Sequence, residues 1–166
     1  MAEIMPHLFE QMSLKVAKET IKEWLDEIHM IENQLSTKLV FDGNKLEAER
    51  LIDEIKALGK RFKVTSSGGE PLNASRCNHE ENSTLVFIQD KETMLIRVEV
   101  FVELFNELDQ DDRVIIYGSF FKNHFNVLMA RKLNVSLSTL ERMKSKVIIN
   151  FAEMLVFEQF LHQLDD

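Results

Sequence analysis

A chain of 166 residues carrying 20 basic and 28 acidic side chains, net charge −8, holds one domain or one domain with an appendage, and its total charge excludes a uniformly nucleic-acid-attracting surface. Its one cysteine, Cys77, excludes an internal disulfide and suits a reducing compartment. No apolar run nears the ~20 residues of a membrane span, and the opening MAEIMPHLFEQMSLK lacks the order of a secretory signal, so a cytoplasmic location with no membrane partner is expected. Two prolines and five glycines leave room for long helices.

From Leu14 to Leu35 the apolar residues Leu14, Ala17, Ile21, Trp24, Ile28, Ile31 and Leu35 recur at alternating spacings of three and four. This is a helical seam, usable inside the domain or in a homodimer. Trp24 reads as a core residue. Phe41, Asp42, Gly43 and Asn44 mark a turn, and a second helix over about Lys45 to Phe62 repeats the pattern with Leu51, Ile55, Leu58 and Phe62. Together they predict an antiparallel helical hairpin over residues 1–62.

Residues 63–84, KVTSSGGEPLNASRCNHEENST, hold most of the turn formers and few apolar anchors, so a polar linker or long loop is expected. Cys77 and His79 stand beside Glu80 and Glu81, but no second Cys/His pair at a usable spacing completes a zinc site. The short apolar run Leu85 to Ile88 has no strand partner, and reads as a helical extension or a docked segment.

Asp90 can cap a helix from Lys91 to about Asn106 whose apolar face is Met94, Val98, Phe101, Phe105 and Leu108. Asp109 can cap the next helix, through Phe121, with Asp111 and Asp112 in the first turn where the helix dipole favours carboxylates. Its expected buried side is Val114, Ile115, Tyr117 or Gly118, and Phe121. These acids are better explained by capping than by catalysis. A helix with the face Leu128, Met129, Ala130 and Leu133 then runs into Asn134, Val135 and Ser136. Asn enters the left-handed region cheaply, as a tight interhelical turn requires. Ser136 is a favourable N-cap, and Ala130 is small where two helices must cross. From Leu137 a stripe of Leu140, Met143, Val147, Phe151, Met154 or Leu155, and Leu161 extends the last helix nearly to the end. The fold expected is all-α: an N-terminal helical hairpin, a polar linker, and a helix-turn-helix domain over 85–166 with a long last helix.

Residues 113–150 hold seven basic groups and one acidic, whereas 91–112 hold two basic and seven acidic. The basic block coincides with the helix-turn-helix, and phosphate contact needs local rather than total charge. A glycine-rich phosphate loop, an H-E-x-x-H pair and a nucleophile motif are all missing, so neither catalysis nor a cofactor or metal is expected.

The run LDQDDRVIIYGSFFKNHFNVLMARKLNVSLSTLERMKSKVIINFAEML resembles, without a gap, region four of bacterial sigma factors. It is closer still to the ArpU-like family of phage and prophage transcriptional regulators, through its D-R-x-I-I-Y, L-N-V-S and R-x-K segments. The resemblance covers about Lys91 to Leu155 and is only general over the first 62 residues. It implies a sequence-specific double-stranded-DNA-binding regulator of phage late or lytic genes, acting with bacterial RNA polymerase in the host cytoplasm. It further implies that the helix from Leu137 enters the major groove. Leu137, Ser138, Glu141 and Arg142 would face base edges, with Arg142 suited to guanine and Glu141 to cytosine. Ser136 and Thr139 would meet phosphate, with Arg131, Lys132, Lys144 and Lys146 supplying positive charge and Ser145 lying on the same stretch. Lys146 serves a protein contact equally well. This reading set is not the Arg-rich set of housekeeping sigma factors, and no segment resembling region two precedes it. Thr139 in place of Glu or Gln leaves the capping box incomplete. Two alternatives stand beside the regulator: a phage DNA-packaging protein of the small-terminase kind, and an interaction protein that keeps the fold without binding DNA.

Overall fold

The structure, a computed structural model, describes residues 12–42, 45–67 and 91–165. Six α-helices and a two-stranded hairpin occupy these stretches, so the all-α class holds. The helices are α1 (Leu14–Leu35), α2 (Glu49–Ser67), α3 (Lys91–Glu107), α4 (Gln110–Ile116), α5 (Asn126–Leu133) and α6 (Leu137–Asp165). The strands β1 (Val40–Asp42) and β2 (Lys45–Glu47) lie between α1 and α2. None of these helices is long and apolar enough to cross a membrane, and among the described residues no group of His, Cys, Asp and Glu could hold a metal ion. Gly43, Asn44, Cys77, His79, the run 85–88 and the Asp90 cap lie outside the described residues.

The α1 seam is spent inside the chain. Ala17, Ile21, Trp24, Leu25, Ile28 and Ile31 are buried, with Leu14 and Leu35 packed at the margins, and α1 lies chiefly along α6, then against α3. Trp24 is a core residue, capped by the Arg97 guanidinium 4.2 Å from its ring centroid, and that guanidinium also pairs with Glu27 at 2.7 Å. The α1 and α2 helices touch each other less than each touches the later helices. One core therefore runs through α1, α2, α3 and α6, across the compositional boundary between the N-terminal and C-terminal helices.

Two departures surround α2. Residues 45–47 are extended rather than helical, in the register Val40↔Glu47, Phe41↔Leu46 and Asp42↔Lys45. A long-range interaction holds them so: the Leu46 N–H donates to Asn106 Oδ1 at 2.8 Å, and Asn106 Nδ2 donates to the Leu46 carbonyl at 3.0 Å. Phe41 is anchored on Tyr117, with ring centroids 4.0 Å apart, and edge-on to Phe105 at 5.8 Å. At its far end α2 runs through Gly59 and on to Ser67, into the stretch expected to be linker. Leu51 and Ile55 are buried as expected; Phe62 lies beyond the described side chains.

Helix α3 buries Met94, Val98, Phe101 and Phe105, as its spacing predicts, and Val100 and Leu104 besides. Phe101 meets Phe151 edge-on at 5.4 Å and Phe121 at 6.2 Å, forming an aromatic centre between α3, α6 and the stretch that follows α4. The helix expected to run to Phe121 is regular only to Ile116, and Tyr117–Phe121 is a π-helical turn. Gly118 explains the position of that turn. A Cβ there would stand 2.7 Å from Met129 Sδ, and Met129 is fully buried, so the extra loop of chain and the missing side chain let α5 close down. Asp109 sits at the N-cap position of α4 with extended backbone, but its side chain makes no capping hydrogen bond. Ile115, Ile116 and Gly118 are buried, while Val114, Tyr117 and Phe121 are only half-buried.

Candidate nucleic-acid interface

The turn between α5 and α6 is built from backbone hydrogen bonds. Asn134 takes the left-handed conformation at φ 57, ψ 48. Its N–H donates to the Arg131 carbonyl at 3.1 Å, and the Val135 N–H reaches the Ala130 carbonyl at 3.0 Å. These two bonds form a Schellman motif, with Val135 packed at the core margin near the buried Ala130. Beyond the turn the Thr139 N–H donates to Ser136 Oγ at 3.2 Å, which is an N-cap. The Ser136 hydroxyl in turn donates to Thr139 Oγ1 at 2.8 Å, a contact between side chains that leaves the reciprocal backbone bond of a capping box unmade among the described contacts.

The first two turns of α6 have a free side. Leu137, Ser138, Glu141 and Arg142 are all exposed, and they fall within an arc of roughly 140° on a helix of 3.6 residues per turn. Leu140 is fully buried and Met143 half-buried, which fixes the opposite face. Further along, Ile148, Ala152 and Leu155 are buried on the continuation of the same outward stripe, where α1 and α3 lie against α6. The part of α6 left uncovered on this stripe is therefore its N-terminal end.

The expected site residues divide into two groups. Arg131, Lys132 and Arg142 are exposed, as is Lys122 just before α5. Arg142 Nη2 lies 3.5 Å from Thr139 Oγ1, folded back along the helix start. Ser136 and Thr139, expected on phosphate, spend their mutual hydroxyl contact on the cap, and the Ser145 hydroxyl donates to the Glu141 carbonyl at 3.2 Å.

Lys144 does not face outward. It is half-buried, donates to Asn126 Oδ1 at 3.0 Å, and binds its proton less tightly than an ordinary lysine because of burial and the nearby Lys18, partly offset by Glu141. Lys146 is exposed but stands near Asp112. Burial, reinforced by Asp109 and Asp111, pushes the Asp112 carboxyl above the usual carboxylate range, and Lys146 acts against that rise.

Three features of this region were not anticipated. Asn126 anchors Lys144, a contact between separate helices that spacing does not encode. Arg113 turns inward, donating through Nη1 to the Asn106 carbonyl at 3.1 Å and to the Leu108 carbonyl. Phe125, Val127 and Leu128 are 83%, 54% and 40% exposed, so Leu128 is not part of the buried face of α5. That face is Met129 and Ala130, with Leu133 half-buried. No protein-family model, curated protein or solved structure matches the chain.

Proposed function

We propose that this chain is a sequence-specific double-stranded-DNA-binding transcription regulator that acts with bacterial RNA polymerase. The observation that carries the reading is the exposed arc of Leu137, Ser138, Glu141 and Arg142 on a Ser136-capped helix, delivered by a tight turn at Asn134 and flanked by Arg131 and Lys132. On this reading α6 enters the major groove by its N-terminal end. Arg142 donates two hydrogen bonds to a guanine, Glu141 accepts from a cytosine amine, and Leu137 offers an apolar contact to a thymine methyl. Arg131 and Lys132 hold the phosphates and set register without reading sequence. No chemistry is performed. The phage setting, with late or lytic genes as targets, comes from the resemblance of the sequence to the ArpU-like family.

The test is selection of bound duplexes from a randomised pool by the full chain. A single enriched motif is the expected result. A pool that stays random after repeated rounds contradicts the reading. The exposed apolar group Phe125, Val127 and Leu128 favours a second reading, in which this surface binds a protein and the fold no longer binds DNA. Absence of duplex binding even at low ionic strength, where phosphate contacts are strongest, would favour that reading.

A further inference from the structure

A cleft of about 190 Å³ is walled by Phe41 of β1, Gln110 and Arg113 of α4, Tyr117 of the π turn, His124 of the following loop and Lys132 of α5. Its chemistry is one-sided. Two basic side chains, an imidazole and a carboxamide face two aromatic rings, and no carboxylate is among the described residues lining it. Phe41 and Tyr117 have centroids 4.0 Å apart with planes inclined by 32°. Lys122 Nζ, 5.9 Å from the Tyr117 centroid, places another cation beside that ring.

Arg113 is fixed by its Nη1 bonds to the Asn106 and Leu108 carbonyls. Its Nε is buried and has no hydrogen-bond partner among the described residues. That atom has no surface open to the cleft; what the cleft meets is the positive charge of Arg113 and Lys132, which carboxylate and phosphate oxygens match. The aromatic pair favours the former, carried on a flat ring. The volume lies below the roughly 300 Å³ at which pockets for drug-sized ligands begin, which suits one ring and one anionic group.

We propose that this cleft binds a small planar carboxylate, its ring against Phe41 and Tyr117 and its carboxylate between Arg113 and Lys132. Lys132 belongs to α5, and on the regulator reading it is also a phosphate contact. Occupancy of the cleft would then withdraw one cation from the DNA and weaken binding. This coupling rests on the regulator reading; the site itself does not.

The probe is benzoate, with benzamide as its uncharged counterpart and acetate as the ringless anion, each titrated into the full chain by calorimetry without DNA. Benzoate is expected to bind, with benzamide and acetate each at least about tenfold weaker. Lys132→Gln is expected to weaken benzoate by about five- to tenfold. Because Arg113 also braces the fold, Lys132→Gln is the variant of choice, and amide chemical shifts locate the ligand in either protein. No benzoate binding, equal binding of benzamide, or shifts centred away from Gln110, Arg113, Tyr117 and Lys132 would overturn the proposal. Benzoate binding by a chain that binds no DNA would overturn the coupling and the regulator reading, and leave the site standing.

Discussion

Replacing Asn134 by alanine, and separately by glycine, separates the backbone demand of the α5–α6 turn from every side-chain contact. Asn134 stands at φ 57, where an ordinary L-residue is disfavoured by roughly 1–2 kcal/mol. Asparagine tolerates this region better than alanine, so Asn134→Ala is expected to cost about 1 kcal/mol if the turn holds its shape. If the chain relaxes instead, the bonds from the Asn134 and Val135 N–H groups to the Arg131 and Ala130 carbonyls open. Each of those contributes about 0.5–1.5 kcal/mol net, which sets an upper bound near 3 kcal/mol for losing both. Glycine adopts this conformation without strain, and its greater freedom in the unfolded chain offsets part of that advantage, so Asn134→Gly stays within about 0.5 kcal/mol of the parent. Urea unfolding of the three proteins measures the differences, and thermal melts should show the alanine variant lower by about 2–4 °C. An alanine variant as stable as the parent, or a glycine variant less stable than alanine, would refute the turn geometry.

Gly118→Val is expected to destabilise by about 1–3 kcal/mol through overpacking against Met129, and Met129→Ala in the same chain should recover part of the loss; denaturant melts of the single and double variants decide it. Asp112→Asn tests the acidic cluster at the start of α4. A carboxyl raised in the folded state gives its full contribution to stability below its unfolded value of about 3.9 and loses it as pH rises through the folded value. The asparagine variant should therefore melt above the parent at neutral pH, and the difference should shrink toward zero at about pH 3. A constant difference across that window would remove the carboxyl as its source.

Much of the helical frame is legible in the sequence, because apolar spacing and caps are local signals. The α1 seam, the α3 face, the Asn134 turn and the Ser136 cap all follow from residues within a few positions of one another. The β-hairpin is not legible in this way: three-residue strands carry too little pattern, and Leu46 is held extended by Asn106, sixty positions away. The same limit governs charge. Spacing places Arg113, Lys144 and Lys146 in one basic block, yet Arg113 is latched to the carbonyls of Asn106 and Leu108, Lys144 to Asn126, and Lys146 stands by Asp112. Their orientation is set by tertiary neighbours. What is legible in the sequence is the arc of Leu137, Ser138, Glu141 and Arg142; which cations lie exposed beside it emerges only from packing.

The most direct test of the central claim compares Arg142→Ala with Lys132→Ala on a selected duplex and on a scrambled one, over a range of salt. Arg142→Ala should lose about 1–3 kcal/mol on the selected site and far less on the scrambled duplex. Lys132→Ala should weaken both alike and reduce the slope of log affinity against log salt by about one. Equal losses on both duplexes for Arg142→Ala, or no measurable binding by the parent chain at low salt, would contradict the account.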